Sequence, residues 1–481
     1  MLRPASDRLR AASAAAGLAL LAVSGCAQKD VDPMVVLQGD SYSTETQEAA
    51  IQALAAQRPL SDEAKKVLRR VLLAPGQALK VRQEAFNLLL VSDRNAMREA
   101  LETNIVRFDA WEARRWMLEQ IGARGLKDFT TVAVNSWAAV VPAWGNDELK
   151  RPEYLALAEL YGADKVPDAL FAVMMEAHPI RQAGLRTRCW ELLMRIGQRD
   201  RLQQLVASST ARPDDVMVRD IRRINQDLGI LPETREELLW LAKLQQTATP
   251  AYWKLASEAL TKVPEEQKRN FELRGVAVAI AAYKRRPELL GMTVDQLYAD
   301  LRPKLESRNA GKYCPNFNGF DSGRTETLSD QRKQARWIDL VAVELALDLV
   351  DDPRVRTRLF DLADRDHQDR RTEYGGIIRL ADDGSFDIVE VRPRVTGSDT
   401  RFEAPQELFD QGYTSLFHFH MHTQEFENGS YAGPHRGDFQ YSNATRANCM
   451  VFSFVSRREL NADFYRHGKF VVDLGTCPRP E

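Results

Sequence analysis

Between about residues 47 and 230 the chain repeats one pattern: apolar side chains at i, i+3, i+4 and i+7, with Arg and Glu on the opposite face. Residues 81–90 (VRQEAFNLLL), 110–122 (AWEARRWMLEQIG) and 185–197 (LRTRCWELLMRIG) show it most clearly. This is the period of an amphipathic helix, and no alternating, strand-like run interrupts it. Pro75-Gly76, Gly122, Gly125 and Gly197 are the expected helix stops.

Ala85, Ala113 and Cys189 occupy matching small positions in these segments, at offsets of 28 and 76 residues, the second near twice 38. Two helices per unit with a period of that size resemble HEAT-like repeats, so residues 47–230 are expected to form an all-α helical-repeat solenoid. An irregular all-α domain fits the same drifting period. A solenoid would offer a concave surface to a protein or peptide partner. Helical patterning continues through 231–352, with 234–246 (TREELLWLAKLQQ), 250–263 (PAYWKLASEALTKV) and 331–349 as its clearest segments, and a loop at 308–330 rich in Gly, Asn and aromatic residues divides it. Loops that long are functional or disordered.

After Asp351-Asp352-Pro353 the pattern changes. One more helix, 355–369, leads into 374–379 and 386–391, which flank Asp382-Asp383-Gly384 and read as a hairpin with an Asp-Gly turn. Residues 416–421, 450–455 and 470–474 are further strands. Residues 353–481 are therefore expected to be a separate α+β domain in a multidomain chain.

The N-terminus has its own character. Residues 1–10 carry Arg3, Arg8 and Arg10 against Asp7, and 11–23 are uncharged and rich in Ala, Leu and Val. A basic segment before a short apolar one reads as an export signal, and the apolar run falls short of the roughly 20 residues a span needs. It ends in Val23-Ser24-Gly25-Cys26, which resembles the lipobox of bacterial lipoproteins. That resemblance implies a signal peptide at 1–25, lipid on Cys26, a flexible tether at 26–46 and a bacterial cell-envelope location on the membrane. Ala27, where an Asp is absent, points to the outer membrane facing the periplasm. An ordinary secretory signal or an apolar N-terminal helix also fits the segment.

Lys and Arg total 66 against 68 Asp and Glu, so no global field draws the chain to nucleic acid. Cys189, Cys314, Cys449 and Cys477 remain beyond Cys26, in no metal or CxxC spacing. Outside the cytoplasm they permit disulfides, and buried free thiols are equally ordinary usage.

Four of the seven histidines lie between His418 and His435, in SLFHFHMHTQEFENGSYAGPHRGDF. On a strand, His418, His420 and His422 share one face while Phe417, Phe419 and Met421 take the other. Alternate strand residues are close enough for two imidazoles to share one zinc ion. Asp438 follows a Gly-Pro turn at the start of a helix expected over 439–447, and is placed to return to the strand end. His420 with His422 and His418 with His420 are equally regular pairs; the later lies nearer the turn that delivers Asp438.

Glu373, His420-Met-His422 and Asp438, with a helix before the first strand, resemble the JAMM/MPN metalloproteases. In that pattern a Glu is followed by His-x-His and then Ser-x-x-Asp. The resemblance implies zinc held by His420, His422 and Asp438, with Glu373 as the base of a peptidase or isopeptidase. The family's Ser falls on His435, which would have to stabilise the oxyanion in its place. The gap before Asp438 is several residues longer than in the family, and Thr423 stands where Pro is common. These departures also fit a non-catalytic helical-repeat interaction lipoprotein with a degenerate domain, and all three strand histidines together fit a metal carrier.

Overall fold

The computed structural model describes residues 31–481 apart from 40, 58, 109, 140–146, 209–213, 269, 309, 314–325, 392–393, 395–396 and 398–401. Cys26, the segment 1–25 and Cys314 lie outside the described residues. The chain is helix-rich ahead of a C-terminal mixed six-stranded sheet. It divides into two compact units, one up to Met117 and one from Leu118 to Glu481. Among the described residues no helix is long and apolar enough to cross a membrane.

The first unit is built of helices Pro33–Gln38, Thr44–Ala56, Asp62–Leu73, Leu79–Ser92 and Arg94–Asn104. Ser43 and Ser61 cap two of them by accepting from Thr46 N and Ala64 N. The tether expected over 26–46 is thus helical at Pro33–Gln38, where Val36 and Leu37 are buried. Burial of these two apolar side chains favours its docking onto the unit. Buried Arg82 donates to the carbonyls of Leu72, Ala74 and Gln77, so its guanidinium closes the C-terminus of the preceding helix.

In the second unit Arg186 repeats that device. It donates to Met174 O at 3.2 Å, at the end of the Val166–Glu176 helix, and forks onto Asp215. Gly76, Gly125 and Gly197 adopt positive φ, as helix stops require. Gly122 does not stop a helix. It lies inside Trp111–Ala123, where a Cβ would come within 3.1 Å of Ala156 Cα, so glycine there permits a close helix approach. Cys189, Cys449 and Cys477 are buried free thiols.

The sheet runs in the order β2-β1-β3-β4-β5-β6, from Gly375–Leu380 (β1), Phe386–Glu390 (β2), Phe417–His422 (β3), Cys449–Ser456 (β4), Glu459–Arg466 (β5) and Phe470–Pro478 (β6). β1 and β2 form the hairpin, with Gly384 at φ +82. All neighbours are antiparallel except β3 and β4, which are parallel and joined through the Arg436–Thr445 helix. That helix starts earlier than the 439–447 expected, which puts Asp438 inside its first turn. β5 has no counterpart among the strands read from the sequence. It alternates buried Asn461 and Asp463 with Leu460, Ala462 and Phe464, and its polar side faces inward.

Every residue of β3 is buried, so both faces of the sheet are covered. Phe417 and Phe419 meet Phe464 and Phe452 on one face, and Phe454 there meets Phe360 of the Pro353–Gln368 helix. On the other face His418 and Tyr465 meet Tyr441 and Phe439 of the Arg436–Thr445 helix. Helices upstream of residue 353 also bind the sheet. Buried Arg274 contacts Glu272 at 2.5 Å and Asp339 at 2.6 Å, and donates to Asn448; Arg466 of β5 reaches Asp339 at 2.8 Å. Burial alone would raise the Asp339 carboxyl, but Arg466 and Arg274 hold it well below the usual carboxylate range.

Candidate metal centre

The register of β1 on β3 builds the centre. Gly375 pairs with His420 and Gly376 with Phe419, and Met421 N donates to Tyr374 O at 2.9 Å. Continuing that antiparallel register puts Glu373 opposite His422, and its Oε1 lies 3.5 Å from His422 Nε2. The approach of the two strands depends on glycine. A Cβ on Gly375 would meet Phe419 O at 2.5 Å and the Phe402 ring at 2.8 Å.

The parallel crossover supplies the third side. Asp438, in the first turn of the Arg436–Thr445 helix, places Oδ1 3.3 Å from His420 Nε2 and Oδ2 3.8 Å from His422 Nε2. Its Oδ2 also accepts from His435 N at 2.7 Å, which ties the carboxylate to the helix start. The two histidine Nε2 atoms stand 3.2 Å apart.

His422 Nδ1 lies 3.0 Å from Tyr431 O. A carbonyl only accepts, so Nδ1 carries the proton and Nε2 presents its lone pair to the centre. Burial, reinforced by His420, lowers His422 to about 3 and keeps it neutral. Burial also works against charge on His420, but the Asp438 carboxylate overrides it and raises that imidazole to about 9. Burial pushes Glu373 well above the usual carboxylate range, helped by Asp438 and opposed by His420, and the backbone N–H of Phe402 bonds its carboxylate. Asp438 is held well below that range: burial opposes its charge, and the charge and hydrogen bond of His420 more than offset the opposition.

These donors fit zinc. In a tetrahedron with bonds of about 2.0–2.1 Å, neighbouring ligand atoms stand about 3.3 Å apart, close to the spacings within this triangle. Two neutral-capable imidazoles and one carboxylate are a zinc-type donor set, and a divalent ion would take the place of the proton between His420 and His422. Glu373, His420 and His422 form one group close enough to share an ion; His422, His435 and Asp438 form another. His435 stacks on His422 with centroids 4.8 Å apart, so its ring belongs to the same cluster. A cavity of about 400 Å³ opens onto these groups.

His418 stands apart. Its Nδ1 lies 2.7 Å from the Tyr441 hydroxyl, and neither group of donors close enough to share an ion includes it. Burial lowers it to about 4. One register step separates it from the centre, because it pairs with Ile377 rather than with Glu373 or Gly375.

Three supporting residues were missed in the sequence. Asp366, buried on the Pro353–Gln368 helix, accepts from Tyr374 N at 2.7 Å and from the Thr423 hydroxyl at 2.5 Å. It thereby fixes the residue after Glu373 and the residue after His422 at the same time. Phe402 lies parallel to the His420 ring, 6.4 Å away. Tyr431 acts through its carbonyl, which no side-chain pattern reveals. Asp366 left a weak signal, an acid on the apolar side of an otherwise amphipathic helix.

No family model, curated protein or solved structure matches this chain.

Proposed function

We propose that this chain is a membrane-anchored cell-envelope lipoprotein whose C-terminal region is a zinc-dependent hydrolase of peptide or isopeptide bonds, of JAMM/MPN type. The observation that carries the reading is the convergence of His420, His422 and Asp438, with Glu373 3.5 Å from one imidazole, on a single cavity. When bound, zinc would supply Lewis acidity toward a carbonyl and acidify water.

The chain's own groups do the rest. Glu373, whose carboxyl burial holds above its ordinary range, is placed to take a proton from the nucleophile and return it to the leaving amine. Tyr431 O and Asp438 fix the orientations of His422 and His420. His435, at the start of the Arg436–Thr445 helix, is the group available to donate to an oxyanion. The helices before residue 231 are read as HEAT-like repeats. The matched roles of Arg82 and Arg186, each closing the helix before its own, support that reading.

One observation favours a second reading. The His435 ring lies close enough to His422 and Asp438 to share an ion with them. As a fourth protein ligand it would close the site and leave a binding protein without catalysis.

Metal analysis of the purified full chain tests both readings. We expect roughly one zinc per chain, lost on chelation and in His422→Ala. A folded preparation that takes up no zinc sinks both. Cobalt substitution separates them: a visible spectrum that shifts with small anions indicates an open position, and one indifferent to them indicates the closed site.

A further inference from the structure

Helix Arg235–Thr247 contains four consecutive apolar residues, Leu238, Leu239, Trp240 and Leu241. A single core-facing stripe accommodates only some of them. Leu238, Trp240 and Leu241 are buried, while Leu239 keeps 48% of its surface exposed. Leu239 sits on the wall between two surface cavities.

The first, about 190 Å³, lies between this helix and the Gln406–Gly412 and Arg436–Thr445 helices, and is lined by Trp240, Phe409, Tyr413 and His418. Two of its lining rings, Trp240 and Tyr413, pack edge to face at 5.0 Å. The second, about 210 Å³, lies on the far side of the helix against Val216, Ile221 and Ala183, and Val216 is 54% exposed. His418 lines both the first of these and the metal cavity, and Leu239 lines both outer cavities. Each depression thus shares one lining residue with the next, His418 and then Leu239, from the metal donors outward over the helix.

Resting on the hydrolase reading above, we infer that this series is a substrate trough for an extended polypeptide, with apolar side chains seated on either side of Leu239 and the scissile bond at the metal donors. Three features select that occupant. Each outer cavity is smaller than the roughly 300–1,000 Å³ of a pocket for a compact ligand, and suits a side chain instead. The two lie on opposite flanks of one helix about 10 Å across, a distance an extended chain covers in about three residues. The carboxylates on the walls are already matched by arginine: Glu236 meets Arg446 at 3.3 Å and Asp220 meets Arg219 at 3.5 Å. Among the described lining residues no unbalanced charge is left to recruit an acidic or basic ligand.

The test uses the zinc-loaded full chain and short fluorescein-labelled Gly-Ser peptides that carry two phenylalanines two to four residues apart, compared with the same peptides with serines in their place. Fluorescence anisotropy is expected to show binding of the phenylalanine peptides only. Leu239→Asp and Val216→Asp should each weaken it at least about tenfold. Leu155→Asp, at an exposed apolar position on the Pro152–Tyr161 helix outside the trough, should leave it unchanged. All three substitutions are on the surface, and circular dichroism checks that the variants fold. Equal binding of both peptides, or binding that Leu239→Asp and Val216→Asp leave untouched, overturns the trough. Cleavage of the bound peptides is read in parallel. Trough-dependent binding without zinc-dependent cleavage keeps the surface and removes the hydrolase reading, whereas cleavage indifferent to the phenylalanines and to Leu239→Asp does the reverse.

Discussion

His467 offers a sharp test of the electrostatics that join the helical region to the sheet. Its Nδ1 lies 2.6 Å from Arg446 Nη1, so it accepts, and its Nε2 donates to Glu272 at 3.0 Å. That arrangement uses the neutral ring completely, and a second proton would face the Arg446 guanidinium. Burial, with Arg274 and Arg446 adding to it and Glu272 opposing, lowers His467 to about 4 from 6.5. Between those values the unfolded chain binds a proton that the folded chain refuses. Stability from this residue is therefore complete above pH 6.5 and is lost as pH falls toward 4. At 1.36 kcal/mol per unit, the loss from pH 7 to pH 4 is about 3 kcal/mol. His467→Gln retains one donor and one acceptor but does not titrate. Urea unfolding of both proteins across that range should show wild type losing about 3 kcal/mol more than the variant. The difference between the two slopes cancels the other groups that titrate there. Parallel pH profiles would refute the reasoning, and a wild type less sensitive to acid than the variant would reverse its sign.

Two further outcomes follow from the metal centre. Asp366→Ala leaves Tyr374 N–H and the Thr423 hydroxyl without their shared acceptor, so we expect a stability loss of about 2–4 kcal/mol and zinc binding weakened about tenfold or more, read by calorimetry; unchanged zinc affinity would show that Asp366 does not position the centre. His418→Gln should keep the full zinc content while His420→Gln loses it, and equal loss in both would mean that the ion is held by all three strand histidines.

The helices were legible because burial on one face leaves a 3.6-residue period, and the β1–β2 hairpin because Gly384 supplies the positive φ its turn needs. β5 was not legible. Its inward positions carry Asn461 and Asp463, which alternation reads as solvent-facing, and only the fold shows that Asn461 Nδ2 donates to Asp463 at 2.9 Å in a buried setting. In the centre, strand parity alone puts three histidines on one face, and it cannot say which two meet a carboxylate. The choice is made by the β1–β3 register and by the start of the crossover helix, both long-range features. The early helix start has a local cause that became visible only in three dimensions: His435 N donates to Asp438 and begins the helix three residues before Phe439.

The two departures from the metalloprotease pattern belong to one segment and are explained together. The return path from His422 to Asp438 is longer than in that pattern, and its extra length includes the turn Gly429–Tyr431, whose last carbonyl holds His422 Nδ1. Asn428 anchors the same path, donating to His422 O at 3.1 Å and to Phe454 O at 2.8 Å. A chain returning by this route reaches the Arg436–Thr445 helix beside His422, and the side chain at its entry lies over that ring. His435 does so by stacking at an interplanar angle of 26°, contact that a serine is too small to make. The histidine and the longer loop are therefore one structural solution: the loop orients His422 from behind and the ring packs over its face. Whatever His435 does chemically, it does from a position set by that packing, within reach of the ion that His422 and Asp438 would share.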